Sequence, residues 1–161
     1  MLEQGHPSGS AEADPDHETH VPSASGYATQ SGPFMECVVV TPSGPGIIDF
    51  STATAVEEVS APSPDRLIAG HPVQSVRNLF TDSTGQFFAG TWSSTPGLWR
   101  IRYTESEFCH LLAGTVRLTD AQGTSWLFAA GASFVVPAGF TGTWEVLEPA
   151  RKLYAIFESR G

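Results

Sequence analysis

From Asn78 onward the chain breaks into short runs rich in β-branched and aromatic residues, and none keeps a helical period for three turns. The runs are Gln86 to Ser93, Leu98 to Thr104, Glu107 to Leu112, Thr115 to Thr119, Ser125 to Phe128, Ser133 to Val136, Thr143 to Leu147 and Lys152 to Phe157. Gly, Pro, Asn or Asp punctuates most gaps, as in Asp120-Ala121-Gln122-Gly123. So many short strands at even spacing predict an all-β sandwich or barrel, and a double-sheet jelly roll is a common way of protecting their edges.

The preceding 77 residues read differently. Residues 1–34 form an acidic segment with almost no Leu, Ile, Val or Phe, too poor in apolar surface to offset the entropy of ordering, and they are expected to be a disordered tail. Its five acids meet no Lys or Arg, so it carries five of the nine net negative charges. His6, His17 and His20 lie there without a packed second shell to orient them, which makes a metal site improbable. Residues 35–77 hold the apolar runs Cys37 to Val40, Ile47 to Phe50 and Arg66 to Ala69 between Pro- and Ser-rich connectors, and are expected to supply edge strands and loops packing on a barrel formed by residues 78–161. Met35, at the edge of the first apolar run, is an alternative start.

Composition bounds the function classes. Seventeen acids against eight bases argue against nucleic-acid or anionic-membrane binding. No run approaches the length of a membrane span and the N-terminus lacks the pattern of a signal peptide, so a cytoplasmic location is expected. Cys37 and Cys109 are too few for a disulfide framework and are expected as reduced thiols.

The block Glu107-Phe108-Cys109-His110-Leu111-Leu112-Ala113-Gly114, continuing through Asp120, resembles the first motif of cupins, and Gly131 to Gly139 resembles the second. Thr84 to Trp92 and the ending Trp144-Glu145-Val146, then Arg151-Lys152-Leu153-Tyr154, are similar to the cupin domain of ureidoglycine aminohydrolase. The resemblance implies a small double-stranded β-helix whose two sheets enclose a cavity open at one end.

It also implies a metal test. Metal-binding cupins place two His on one strand, a Glu shortly after and a third His beyond a Pro-x-Gly turn. Here the paired positions fall on Ile101 and Tyr103, or on Arg100 and Arg102 if the loop is one residue longer, and the third falls on Gly142. Only Glu107 remains of four ligands, so no tightly bound metal and no other cofactor is expected.

Strand alternation then selects the candidate site. Glu107, Cys109 and Leu111 share one face, with His110 on the other. Glu107 in an apolar interior is a candidate general acid or base with Tyr103 as hydrogen-bond donor, or else one half of a structural pair with Arg100, Arg102 or Lys152. In one register Trp99, Ile101 and Tyr103 face the cavity; in the other Arg100 and Arg102 do. Trp144, Phe140 and Cys109 complete the expected ligand-binding set, alongside Trp99, Ile101 and Arg102. The sequence thus predicts a cupin that binds a small organic molecule, with an amino or ureido compound suggested by the resemblance alone; a non-catalytic ligand sensor and a metal-dependent hydrolase or dioxygenase are the alternatives. A homodimer joined through an edge strand is expected.

Overall fold

Two long strands organise the molecule. The structure, a computed structural model, describes residues 46–159, whose regular structure is entirely β. The strands are β1 (Glu58–Ser60), β2 (Leu67–Gly70), β3 (Gln74–Thr81), β4 (Phe87–Ser94), β5 (Gly97–Arg102), β6 (Ser106–Asp120), β7 (Ser125–Ala129), β8 (Ser133–Val136) and β9 (Thr141–Phe157). The expected tail, its three histidines and the run Cys37 to Val40 lie outside the described residues. No helix among the described residues is long and apolar enough to cross a membrane.

β6 and β9 run antiparallel along almost their whole lengths, from Ser106 opposite Phe157 to Asp120 opposite Gly142. The other edge of β9 is shared: β4 pairs with its second half and β5 with its first. The other edge of β6 is shared in the same way, by β8 near its start and β7 near its end. Hence one half of the sheet reads β1-β3-β4-β9-β6-β8 and the other β2-β5-β9-β6-β7. The sheet curls into a half-barrel between these halves.

The bend has a local cause. Three register shifts between β6 and β9 cluster at Leu111 to Val116, around Gly114. Gly114 has φ of 81°, and a side chain there would run into the backbone of Glu148, Pro149 and Ala150. We expect Gly114→Ala to cost at least about 1–3 kcal/mol from the backbone conformation alone; an unchanged urea midpoint would contradict this role for the bend.

Across the bend the inward parity of β6 changes, from Glu107, Cys109 and Leu111 to Val116 and Leu118, while β9 keeps Trp144, Val146, Ala150, Lys152, Tyr154 and Ile156 buried. Residues of both halves therefore build one core, made of Trp99, Tyr103, Cys109, Leu111, Val116, Leu118, Val136, Trp144, Val146 and Ala150. Aromatic rings join the halves: Phe128 of β7 stacks on Phe134 of β8 at 3.8 Å, and Trp92 of β4 meets Trp144 edge-on at 5.7 Å.

Sequence patterning located most strands but misjudged their continuity. The gaps expected at Gly114 and Pro149 are bends inside single strands, because the register shifts absorb what a turn would otherwise do. β1 and β3 have no counterpart among the expected strands, and the junction expected at residue 78 falls within β3. Ile47 to Phe50 is not a strand: the Asp49 carboxylate accepts from the Ser51 N–H and hydroxyl, and its carbonyl from the Ala53 N–H, which closes a turn there.

Candidate functional site

The interior of the first half holds a closed polar cluster. Glu107 projects inward from the start of β6, and its two carboxylate oxygens have different partners. Oε2 accepts the Tyr103 hydroxyl proton at 2.8 Å, and Oε1 accepts from the Lys152 ammonium, also at 2.8 Å. The ammonium further donates to the Cys109 sulfur at 3.3 Å and lies 4.5 Å from the Trp144 ring centre and 5.1 Å from that of Trp92. Both side chains of the Glu107–Lys152 pair are 5% exposed.

Backbone geometry explains why these groups meet. Tyr103 follows β5 and is pinned by the turn after β8: its N–H donates to the Phe140 carbonyl and its carbonyl accepts from the Gly139 N–H. Lys152 stands opposite Leu111, and Tyr154 opposite Cys109. The lysine stem therefore reaches back along the strand, past Cys109, to Glu107. The four methylenes of the side chain make that reach possible and set the ammonium against the two indole rings.

Burial fixes the protonation states. It is the main reason that the Tyr103 phenol lies well above its ordinary value, and the neighbouring charges of Glu107, Cys109 and Glu105 add to it. Burial likewise pushes the Cys109 thiol up to about 12, against the opposing pull of Lys152. For Lys152 burial acts downward, but the charges and hydrogen bonds of Cys109 and Glu107 outweigh it and the ammonium sits above its ordinary value. Cys109 is thereby held as a thiol at neutral pH, and the Glu107 carboxylate is the group paired with the ammonium. Tyr154 is also pushed up, chiefly by burial, and donates to Asn78 Oδ1 at 3.1 Å.

Most of the residues expected at the site converge here. Trp99 and Tyr103 are buried and Ile101 packs against the core, so the inward-facing register of β5 is the aromatic one. Arg100 and Arg102 are exposed on the opposite face, which takes Arg102 away from the ligand-binding set: alternation from Tyr103 leaves it no path inward. Phe140 is half-buried against the core and meets Trp126 edge-on at 6.3 Å. His110 faces outward with its Nδ1 2.9 Å from Ser133 Oγ, as alternation required. Among the sequence candidates Lys152 stood only as a possible structural partner of Glu107; the structure makes it the centre of the cluster. The sign available in the sequence was the shared parity of Lys152 and Tyr154, which places them on one face without giving the register to β6.

A divalent metal suits this donor set poorly. The positions that the cupin resemblance assigns to imidazoles hold Ile101 and Tyr103, or Arg100 and Arg102, together with Gly142, where a side chain would meet the Thr119 carbonyl. An ammonium already contacts the one remaining carboxylate, and among the described residues no three His, Cys, Asp or Glu side chains gather.

Comparison with known proteins agrees with the fold. Residues 81–154 match the family model described as the EutQ-like cupin domain. A solved structure from Pseudomonas syringae pv. tomato, a protein of unknown function in the DUF861 family, is 28% identical with a TM-score of 0.59 over 65% of this chain and 45% of its own. This chain thus spans less than half the length of that relative. The EutQ protein of Clostridium difficile is 18% identical with a TM-score of 0.52, covering 68% of this chain and 99% of its own, and shows the fold alone. The same holds for a putative ethanolamine utilization protein Q from Salmonella typhimurium, 14% identical with a TM-score of 0.51 over 67% and 100% of the two chains. No curated protein matches the chain. The all-β half-barrel with this strand order has the cupin fold, and its residues 81–154 are similar to the EutQ-like cupin domain.

Proposed function

We propose that this cupin binds a small organic molecule, an amino or ureido compound, in the interior beside Glu107 and Lys152, and that it does so without a tightly bound divalent metal. One observation carries the reading: the Glu107–Lys152–Tyr103–Cys109 cluster lies against the Trp92 and Trp144 faces. A core that needed only packing would be better served by apolar residues, because an ion pair removed from water recovers little of its desolvation cost. Perturbed, coupled side chains in a barrel interior are what a binding site supplies.

If turnover occurs, Glu107 accepts the proton. Its two oxygens still have free lone pairs beyond those engaged by Tyr103 and Lys152, and Tyr103, held protonated, serves as donor. A second reading, a ligand sensor without turnover, is favoured by one fact: both Glu107 oxygens are already engaged and Cys109 is held as a thiol.

A thermal-shift screen of amino acids, ureides and sugar acids tests the binding reading, with a saturable stabilisation expected from an amino or ureido compound. For a hit that is also consumed, Glu107→Gln should lower turnover by about 100-fold or more, the scale of general acid–base catalysis, measured below the variant's melting temperature because the change also leaves the buried Lys152 ammonium without its counter-charge. Unchanged turnover would assign Glu107 to binding alone, and a stoichiometric divalent ion in purified untagged protein would overturn the metal-free reading.

A further inference from the structure

The outer face of the half built from β3, β4, β9, β6 and β8 is apolar although it points away from the core. Residues directly opposite one another across the strands share a face. The row Phe80, Ala89, Ala155, Phe108 and Val135 crosses all five strands without a polar side chain. The next row begins with Phe87 and Phe157, and the Phe87 ring meets that of Phe80 edge-on at 6.1 Å. Phe87, Phe108, Phe157 and Val135 are 39%, 45%, 54% and 60% exposed. An antiparallel strand with one wet face alternates apolar with polar residues, whereas Phe87-Phe88-Ala89, Ala155-Ile156-Phe157 and Phe134-Val135-Val136 are unbroken, the pattern of strands covered on both faces. The other half supplies the contrast. Its outer face carries Leu127, yet there Arg117 pairs with Glu145 at 2.8 Å, Thr115 donates to Glu148, and the Thr119 and Ser125 hydroxyls bond each other.

What fits the apolar face is set by what it lacks. Its two rows hold no Asp, Glu, Lys or Arg. The polar groups beside them are engaged within the sheet: the Ser106 hydroxyl accepts from the Ala138 N–H at 3.2 Å, and His110 Nδ1 is 2.9 Å from Ser133 Oγ. A foreign protein would find no charge and no directional group by which to be selected. A second copy needs neither, because an uncharged apolar surface is complementary to itself about a two-fold axis. In a chain of net charge -9 it is also the surface on which two copies meet with least repulsion. The area suffices. A standard interface takes about 800 Å² from each partner, a little over half of it apolar. Phe87, Phe108 and Phe157 expose roughly 300 Å² between them, and Val135, Leu112 and Leu153 add to it.

We infer that this face is the contact between two copies of the chain, so that the dimer joins sheet face to sheet face and not through the edge strand expected from the sequence. The contact lies on the reverse of the strands that present Glu107, Cys109 and Lys152, and it is independent of what the interior binds.

The mass of the full chain in solution, followed by light scattering across a dilution series, tests it. At about 100 μM the particle should have twice the 17.1 kDa of the chain. Val135→Lys with Phe157→Lys puts two charges on the face without setting them opposite each other. The pair should weaken association about 100-fold or more, because each lysine enters an apolar contact unpaired. Leu127→Lys, at a position 62% exposed on the other half, should leave the mass unchanged. Hydroxyl-radical labelling of the unaltered chain repeats the test without a substitution: Phe108 and Phe157 should label at least about threefold more slowly in the dimer than in the diluted monomer. A monomer at about 100 μM overturns the inference. So does a dimer that persists with both lysines present, or one in which Phe108 and Phe157 label as fast as in the monomer. Slow labelling of both in a monomer overturns it as well, since residues 1–45 of the same chain would then be what covers the face.

Discussion

Lys152→Ala should destabilise the protein by about 3–5 kcal/mol, the scale on which removing one partner strands the other charge in a buried pair. Glu107 would keep its Tyr103 hydrogen bond but lose the ammonium 2.8 Å from Oε1, with no water to replace it at 5% exposure. The loss of the ammonium's contacts with the Trp92 and Trp144 rings, and the cavity the side chain leaves, add to this. The partner experiment is the double change Lys152→Met with Glu107→Leu, which removes both charges and refills the volume. It should recover most of the stability, because well-packed apolar residues match a buried ion pair. Urea denaturation of the three proteins decides: a double variant as unstable as Lys152→Ala would mean that the pair itself, and not relief from a stranded charge, holds the barrel together.

Stability should also fall steeply in alkali, beginning near pH 9. Cys109 has an ordinary value of 9.0 and is pushed up to about 12 in the fold, so above pH 9 the unfolded chain releases a proton that the folded chain retains. A raised folded value contributes stability that is complete below the unfolded value and disappears as pH climbs towards the folded one. At roughly 1.4 kcal/mol per pH unit, the thiol alone removes about 4 kcal/mol by pH 12. Tyr103 and Lys152, raised from 10.0 and 10.5, act in the same direction at higher pH. Melting temperatures measured from pH 8 to 11 should therefore decline from pH 9, and Cys109→Ala should delay the onset to about pH 10, where tyrosine begins to ionise. A wild-type curve flat to pH 10 would show that the thiol is not buried as described.

These two results bear on the function as well as on the fold. A cluster whose disruption costs several kcal/mol is retained at the expense of simpler packing, and both Glu107 and Lys152 are held in single geometries by it. The surface pair of Arg117 and Glu145, equally short at 2.8 Å but about a third exposed, carries no such consequence.

The sequence by itself determined the all-β class, most of the strands from residue 86 onward and which residues share a strand face. Glu107, Cys109 and Leu111 on one face, His110 on the other, and the aromatic positions Trp99, Ile101 and Tyr103 opposite the arginines all follow from a period of two, which any extended strand must obey. The cupin resemblance likewise sits in local motifs, the Gly114 and Gly139 turns and the strands beside them. What only the tertiary structure decided is which cation meets Glu107. Arg100, Arg102 and Lys152 were equal candidates on charge, and the choice depends on the register of β9 against β6 across three shifts around Gly114, a non-local quantity that no periodicity encodes. The pairing of Lys152 with Glu107 exists because β6 and β9 pair antiparallel and so bring together two residues 45 apart in the chain.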